Sequence, residues 1–390
     1  MNYFISVGEA SGDIHAAALI RSLREVDSHA RFTFLGGDLM AAEAGHDPLI
    51  HYRDMAFMGF VEVARHLPKV LGNLSAARRA IEKERPDALI LVDYPSFNLK
   101  LAKTAAKLGI PVYYYISPKV WAWKEYRVKS IKRLVRHLYS ILPFEVPFYA
   151  RHDYDITYAG NPSVEEVDSR LDEIMSPRQT FCYAHNLPAD SRIVALVPGS
   201  RRAEIRQNLP VMVEAMVRFP DLTPVIAAAP GIELDYYDRF AEDIPVVKDC
   251  TFELLASSIA ALVTSGTATL ETALIGTPQV VLYRNNGSRI IYTLGRPLIR
   301  TPWVSLPNLI AGRPIVSELL FHRCTPENVA AELETILPGG NRRNEMIDGY
   351  ADMRRLLGKS SAAQVTAESI YSDLIDIQHQ SGAVTPRLIH

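Results

Sequence analysis

The segment YFISVGEASGD (3–13) carries the pattern that the rest of the chain repeats. Its apolar run, YFISV (3–7), predicts a buried strand, and a glycine-containing turn follows. Residues 14–26 then place apolar side chains at helical spacing. Strands that alternate with helices of about ten to fifteen residues are typical of βαβ units and a parallel sheet. The start of the chain therefore predicts a doubly wound α/β domain.

This alternation fills the first half, is interrupted, and restarts in the second half. Prolines and charged residues dominate 160–190, so we place a domain boundary there. We expect two Rossmann-like domains, over 1–165 and 166–340, followed by helices over 341–390. These helices could take one of three places: across the domain junction, back on the first domain, or on a second subunit. The further predicted strands are FTFL (32–35), ALILV (88–92), VYYYI (112–116), HLYSIL (137–142), IVALV (193–197), PVIAAA (224–229), PVV (245–247), AALV (260–263) and QVVLY (279–283).

Composition and charge narrow the classes of function. A chain of 390 residues with 48% hydrophobic residues suits two domains with large cores. A net charge of −2 gives no reason to expect a nucleic acid as a partner. Cys182, Cys250 and Cys324 match neither a disulfide framework nor a metal-ligand spacing. The N-terminus lacks the pattern of a signal peptide, and no apolar run reaches the ~18 residues of a transmembrane helix. We expect a cytosolic protein that meets a membrane only at its surface.

The turn after the first predicted strand is a candidate ligand site, because ligands of doubly wound sheets bind beyond the carboxyl ends of the strands. Gly8 and Gly12 let backbone amides approach a ligand, and the N-terminus of the next helix favours anions. The spacing is not the GxGxxG of dinucleotide-binding proteins. Alternatively, the glycines only permit a tight turn, and Ser11 or Asp13 caps the helix.

A second candidate lies in ALILVDYPSFN (88–98), where Asp93 ends a buried strand and Pro95 prevents its continuation. A carboxylate at this point can deprotonate an acceptor hydroxyl, with its pKa tuned by burial. Alternatively, Asp93 is the N-cap of the helix that begins near Phe97, although Ser96 suits that role better.

The second half contains LVPGSRRAEI (196–205), another strand followed by a glycine turn and a helix. Gly199 and Ser200 present backbone amides, and the guanidinium of Arg201 suits a diphosphate. Arg202 competes for that role. Alternatively, this is a strand-ending turn with surface arginines.

A similar turn occurs in TSGTATLETAL (264–274). Ser265, Gly266 and Thr267 open a helix that can receive phosphate, and Glu271 can accept hydrogen bonds from ribose hydroxyls. Alternatively, Thr267 caps the helix and Glu271 is a solvated carboxylate near the helix start. Together, the two turns of the second half predict a phosphorylated nucleotide ligand.

Eight blocks of this sequence stand out in order: GEASGD (8–13), MGFVEV (58–63), VDYPSFN (92–98), ISPKVWAW (116–123), ILPFE (141–145), LVPGSRRAEI (196–205), SGTATLE (265–271) and WVSLPNLIAG (303–312). They resemble the signature blocks of bacterial lipid-A-disaccharide synthases. The resemblance implies a GT-B fold in which two Rossmann-like domains face a central cleft. It also implies inverting transfer of 2,3-diacylglucosamine from its UDP-linked form to the 6-hydroxyl of 2,3-diacylglucosamine 1-phosphate (lipid X), giving the β-1,6 disaccharide 1-phosphate and UDP.

The resemblance also implies roles for single residues. Asp93 matches the family's essential acid and is the expected base, with Glu9 as the alternative. Arg201 matches the arginine of the GSR motif, and Glu271 and Asn308 match nucleotide-facing positions. The sequence departs from the family pattern at Ser96, at Gly160-Asn161-Pro162 and at Lys124. The expected acceptor and lipid contacts are Gly8, Ser11, Met58, Phe60, Asn98, Ser117, Trp121 and Trp123.

Two stretches predict contact with the inner membrane. Apolar residues are concentrated over 55–74, and basic residues over 119–136 suit anionic headgroups or the acceptor phosphate. Alternatively, they are a core helix and a solvated basic face. We expect no metal, since no DxD-like pair is present, and no cofactor besides the UDP-sugar substrate. A homodimer is one of the assemblies that the sequence leaves open.

Three other classes of protein compete with this interpretation. Another UDP-sugar enzyme of the same fold, such as a non-hydrolysing epimerase or a peptidoglycan glycosyltransferase, should lack the VDYPSFN and ISPKVWAW blocks. A nicotinamide-dependent dehydrogenase needs a GxGxxG turn with an acid about twenty residues further on. A non-catalytic nucleotide-sugar binding protein is usually exported.

Overall fold

The computed structural model describes residues 1–55, 67–123, 125–174, 176, 178–284 and 301–382. The chain forms two compact units. The first unit contains Met1–Pro162 and the chain from Ser360 onward, and the second contains Ser163–Lys359. The helical end of the chain is therefore divided between the two units.

The first unit is a parallel sheet with helices. Among the described residues it has seven strands in the order β3-β2-β1-β4-β5-β6-β7, so the direction of winding reverses between β1 and β4. Its strands are β1 (Asn2–Ser6), β2 (Arg31–Gly36), β3 (Ile50–His51), β4 (Ala88–Val92), β5 (Val112–Tyr115), β6 (His137–Ser140) and β7 (Thr157–Tyr158). Its helices are α1 (Ala10–Val26), α2 (Asp38–Ala44), α3 (Leu67–Glu84), α4 (Pro95–Lys107), α5 (Val120–Trp123), α6 (Val128–Leu134), α7 (Glu145–Ala150) and, from the end of the chain, α18 (Ala362–Gly382).

The apolar runs of the sequence form the buried centre of this sheet. All five residues of β4 are buried, as expected for a strand covered on both faces. Helix α1 buries Leu19, Ile20 and Leu23, and the returning α18 adds Ile370 to the same core. Helix α18 thus completes the first unit's core.

The second unit repeats the architecture with a six-stranded parallel sheet in the described residues. Its order is β10-β9-β8-β11-β12-β13, with the reversal between β8 and β11. Its strands are β8 (Ile193–Val197), β9 (Thr223–Ala227), β10 (Val246–Val247), β11 (Ala260–Thr264), β12 (Gln279–Tyr283) and β13 (Ser317–Leu320). Its helices are α8 (Pro162–Ser169), α9 (Leu171–Ile174), α10 (Arg178–Ala184), α11 (Arg202–Met216), α12 (Asp235–Ala241), α13 (Thr251–Ser257), α14 (Thr267–Ile275), α15 (Leu306–Ala311), α16 (Pro326–Ile336) and α17 (Arg343–Leu357).

The short strands β3, β7 and β13 were not among the predicted strands. The first two have only two residues each, so their apolar pattern is too brief to predict a strand. Within the described part of the chain, no helix combines the length and apolar character needed to cross a membrane.

Candidate active site

The two acidic candidates of the first unit lie at the reversal point of its sheet. Glu9 follows β1 and Asp93 follows β4, and these two strands are adjacent. Burial raises the pKa of Asp93 to about 6, helped by the negative charge of Glu9 and opposed by Lys119. The carboxyl ends of strands at a reversal point are where doubly wound sheets bind ligands. The structure therefore brings these candidates together at such a point.

The backbone at Asp93 has an uncommon conformation. Asp93 and Tyr94 have φ angles of 42° and 43°, in the left-handed region that residues other than glycine rarely adopt. Tyr94 precedes α4 without a side-chain capping bond, so Asp93 is not the N-cap of this helix, and neither is Ser96. The capping alternative for Asp93 is thus wrong, and its carboxylate is left for another role.

The turn after β1 packs closely against Tyr94. A Cβ atom on Gly8 would lie 2.2 Å from Cγ of Tyr94, so only glycine fits there without a shift. The Tyr94 hydroxyl donates a hydrogen bond of 3.0 Å to the carbonyl oxygen of Met55. Gly8 therefore permits a close approach between the loops that follow β1 and β4.

The capping alternative for the first turn is also wrong. Helix α1 has no side-chain cap, and Ser11 instead donates a 2.9 Å hydrogen bond to Oε1 of Glu9. The buried carboxylate of Asp13 accepts from the backbone N–H groups of Gly37, Leu39 and Met40. Asp13 therefore stabilises the start of α2 and ties α1 to it.

The expected acceptor residues Ser117 and Trp121 lie around a buried acid, Glu145. Trp121 donates from Nε1 to Oε1 of Glu145 at 2.8 Å, and Ser140 donates to the other oxygen. The hydroxyls of Ser117 and Tyr149 are 2.8 Å apart. Glu145 is 1% exposed, and burial raises its pKa to about 7. Sequence reasoning assigned Glu145 no role, although it is an acid after an apolar run in the ILPFE block.

The other expected acceptor and lipid residues have different surroundings. Asn98 is fully buried, and its amide nitrogen donates to the carbonyl oxygens of Ser6, Val92 and Asp93. Trp123 is the last residue of α5. Met58, Phe60 and Lys124 lie outside the described residues.

In the second unit, the turn after β8 is closed by Glu204. The backbone N–H of Ser200 donates to this carboxylate at 3.0 Å, and Arg201 donates to it from Nη1 at 3.1 Å. Gly199 has a φ of 115°, and a Cβ atom there would lie 2.7 Å from Cβ of Glu204. The Ser200 amide and the Arg201 guanidinium, which are expected to bind a diphosphate, are therefore close together, and both donate hydrogen bonds to the carboxylate of Glu204.

The turn after β11 lies on the strand next to β8, at the reversal point of the second sheet. Gly266 precedes α14 without a side-chain capping bond, so the alternative in which Thr267 caps the helix is wrong. The Oγ1 atom of Thr264 is buried and has no hydrogen-bond partner in the described residues. Because Gly266 provides no side-chain cap, the first backbone N–H groups of α14 keep the capacity to bind an anion.

Glu271 and Asn308 are the remaining nucleotide-facing candidates. Burial raises the pKa of Glu271 to about 7, and the negative charge of Glu166 adds to this. Asn308 is 1% exposed, and its amide bonds the backbone of Ile315 and Val316 and the carboxylate of Glu318. Asn308 thus orders the segment before β13, whereas Glu271 lies on the second turn of α14.

No set of three or more His, Cys, Asp or Glu side chains in the described ranges is arranged to hold a metal ion.

The fold of the chain is shared with enzymes that act on UDP-sugars. UDP-GlcNAc 2-epimerase from Neisseria meningitidis, bound to UDP-GlcNAc, is similar with a TM-score of 0.62 and 13% identity, over 95% of this chain and 100% of that chain. The S. aureus MnaA–UDP structure is similar with a TM-score of 0.63 and 12% identity, over 96% and 97%. The predicted α/β class is confirmed, and the chain has a GT-B type fold.

The sequence comparisons define the family. The family model for lipid-A-disaccharide synthetase matches residues 3–369. The lipid-A-disaccharide synthase of Myxococcus xanthus is 42% identical over 374 residues, covering 94% of this chain and 96% of that protein. The one of Nitrosococcus oceani is 38% identical over 372 residues, covering 93% and 94%. The chain belongs to the lipid-A-disaccharide synthase family, and it is a glycosyltransferase that uses a UDP-sugar donor and a lipid X type acceptor.

Proposed function

We propose that the two units divide the two substrates of the transfer reaction. The first unit binds the 2,3-diacylglucosamine 1-phosphate acceptor and supplies Asp93 as the base. The second unit binds UDP-2,3-diacylglucosamine. One observation carries this assignment. Glu9 and Asp93 lie at the reversal point of the first unit's sheet, and the two turns proposed to bind the diphosphate, after β8 and β11, lie at the reversal point of the second unit's sheet.

Asp93 is suited to remove the proton of the acceptor 6-hydroxyl. A base whose pKa is about 6 is largely ionised at neutral pH and still holds a proton better than an ordinary carboxylate does. As the 6-oxygen bonds to the anomeric carbon, its proton passes to Asp93. The bond from that carbon to the phosphate oxygen breaks, and the electron pair leaves with UDP. Attack opposite the leaving group inverts the anomeric centre.

The second unit is suited to stabilise the departing UDP. Negative charge grows on the diphosphate as the sugar leaves, so donors aimed at it act most strongly in the transition state. The N–H of Ser200, the guanidinium of Arg201 and the start of α14 at Gly266 and Thr267 supply such donors. Glu271 accepts hydrogen bonds from the ribose hydroxyls. This arrangement stabilises the leaving group with no metal ion.

The assignment of the base is tested by Asp93→Asn in detergent micelles that contain both substrates and EDTA. We expect UDP and disaccharide from the wild type, and a rate lower by about a hundredfold or more in the variant. Asp87→Asn is the control, since Asp87 lies before the other end of β4 and accepts from the N–H of Asn2. UDP affinity, measured by calorimetry, should be equal in all three proteins. A nearly unchanged rate for Asp93→Asn would remove Asp93 as the base.

The acceptor is lipid-like, and the first unit presents a surface suited to a membrane. Tyr126 is 70% exposed beside α6, which carries the exposed basic residues Lys129, Lys132 and Arg133. An exposed aromatic ring beside basic side chains favours the interface of an anionic bilayer. We assign this surface, Tyr126 with the three basic residues, to the inner-membrane contact.

Flotation with phosphatidylglycerol vesicles tests the membrane assignment. Reversal of the three charges on α6 to glutamate should abolish binding, and binding of the wild type should weaken as salt rises. Arg218, Arg239 and Lys248, exposed in the second unit, give a control triple with the same change in net charge. If both triple variants lose vesicle binding equally, net charge alone explains the effect.

A homodimer stays a prediction, to be checked by sedimentation.

A further inference from the structure

The strained backbone at Asp93 requires support from its surroundings. A left-handed conformation is unfavourable at a residue other than glycine, and two such residues follow each other at Asp93 and Tyr94. Ile116, just after the neighbouring strand β5, has a φ of 64°. Such conformations persist only where other groups hold them.

Two buried side chains converge on the carbonyl oxygen of Asp93. Asn98 donates to it from Nδ2 at 2.9 Å, and the hydroxyl of Tyr114 also donates to it. Burial holds the pKa of Tyr114 well above its usual value, so this hydroxyl remains a donor. The Asp93 carbonyl is therefore fixed from α4 and from β5.

The amide of Asn98 is itself held in one orientation. Its nitrogen also donates to the carbonyls of Val92 and Ser6, at 3.1 and 3.3 Å. Ser6 donates from its hydroxyl to Oδ1 of Asn98 at 2.7 Å. Ser6, Asn98 and Tyr114 are all fully buried. None of the three is placed to touch a substrate directly, so their role is toward Asp93.

Tyr94, the residue after Asp93, is restrained as well. Its ring lies against Gly8, and its hydroxyl bonds the carbonyl of Met55. Asn98 also bonds the carbonyl of Val92, on the other side of Asp93. The peptides before and after Asp93 are therefore both held, and this fixes the direction in which the Asp93 side chain leaves the backbone.

We propose that Ser6, Asn98 and Tyr114 form a clamp that positions Asp93 for proton transfer. The clamp is defined by these three residues and their bonds to the Asp93 carbonyl or to one another. The proposal rests on the proposed function of Asp93 as the base and adds positioning residues from β1, β5 and α4. Asn98, expected from the sequence to contact the acceptor, acts on the base instead.

Tyr114→Phe tests the clamp, because it removes one hydroxyl and leaves the packing in place. We expect kcat to fall about tenfold, less than the roughly hundredfold that a 1 Å misplacement of a catalytic group can cost, with KM and UDP affinity unchanged. The acid limb of the profile of kcat/KM against pH should also move to lower pH, because a released Asp93 reaches solvent and its pKa approaches the ordinary value of about 4. Loss of folding alone would not shift this limb.

Tyr154→Phe is the matched control. The Tyr154 hydroxyl is buried in the same unit and donates to a backbone carbonyl, that of Val135, at 3.1 Å. It should lower the melting temperature to a similar degree and leave kcat and the acid limb unchanged. Ser6→Ala is a second probe of the clamp and should act in the same direction as Tyr114→Phe.

Equal kinetics for Tyr114→Phe, Ser6→Ala and Tyr154→Phe would overturn the clamp. If Asp93→Asn is inactive while both clamp variants keep the wild-type kcat and pH profile, only the clamp fails. If Asp93→Asn itself is active, the assignment of the base fails first.

Discussion

At the scale of single residues, this protein places carboxyl groups in surroundings that give them different proton affinities. Burial raises the pKa values of Asp93 and Glu145, but only Asp93 has two charged neighbours of opposite sign in Glu9 and Lys119. Glu145 is enclosed and holds Trp121, whereas Asp93 is partly exposed after β4. The two acids therefore suit different tasks: Glu145 orders the protein, and Asp93 is the proposed base.

The pH dependence of the rate should respond in opposite directions to the two charged neighbours of Asp93. The wild-type kcat/KM should rise with pH through about 6, as the base loses its proton. Glu9→Gln removes a negative charge that raises the pKa of Asp93, so the acid limb of the kcat/KM profile should move to lower pH. Lys119→Met removes a positive charge that lowers this pKa, so the limb should move to higher pH. The measurement is kcat/KM between about pH 4.5 and 9.

Two results would contradict this prediction. A shift of the same sign in both variants would exclude simple charge effects. Complete inactivity of Glu9→Gln at every pH would instead make Glu9, the alternative named from the sequence, the base.

At the scale of elements, each candidate site is a strand end, a turn and a helix start. In the turn after β8, the carboxylate of Glu204 occupies the Ser200 amide and the Arg201 guanidinium. A diphosphate needs the same donors and carries the same sign of charge. The carboxylate of Glu204 therefore occupies the place at the start of α11 where the diphosphate of the UDP-sugar is proposed to bind.

Glu204→Gln should strengthen the binding of UDP. Loss of the competing charge should lower the Kd about two- to fivefold, the size of a partly exposed ion-pair interaction. Calorimetric titration with UDP measures this, and the gain should decrease at high salt. Glu214→Gln, at an exposed position of the same helix, is the control. Weaker binding in Glu204→Gln would mean that Glu204 orients Arg201 for the donor and does not compete with it.

At the scale of the whole molecule, the chain leaves the first unit at Pro162 and returns to it at Ser360. Helix α18 packs on α1, and Asp373 accepts from the Tyr113 hydroxyl at 2.5 Å and from Nη2 of Arg136 at 2.7 Å. The first unit therefore depends on residues that follow the whole second unit in the sequence.

Ile370→Ala should destabilise the first unit selectively. Ile370 is fully buried in α18, and removal of such a side chain costs about 2–5 kcal/mol. Hydrogen exchange should accelerate in β1, α1 and β4, with little change in β8 and β11, and UDP affinity should stay constant. Ile336→Ala, fully buried in the second unit, is the reciprocal control. Equal acceleration in both units for Ile370→Ala would show that they unfold together.

The sequence alone determined the class of fold, the family and the positions of the four candidate turns. Runs such as ALILV and IVALV are read correctly because burial on both faces of a parallel strand demands consecutive apolar residues. Two of the turns can be read for a similar reason, since a Cβ atom at Gly8 would lie 2.2 Å from Tyr94 and Gly199 has a φ of 115°.

Only the tertiary structure decided which partners the polar side chains of these turns have. Asp13 caps α2 and not its own helix, Asn98 holds the Asp93 carbonyl, and Trp121 bonds Glu145, 24 residues away. The tertiary structure also placed α18 in the first unit, where the sequence left three alternatives. Periodicity reports whether a residue is buried, but its partner depends on which strands become neighbours, and that is set by packing over the whole sheet.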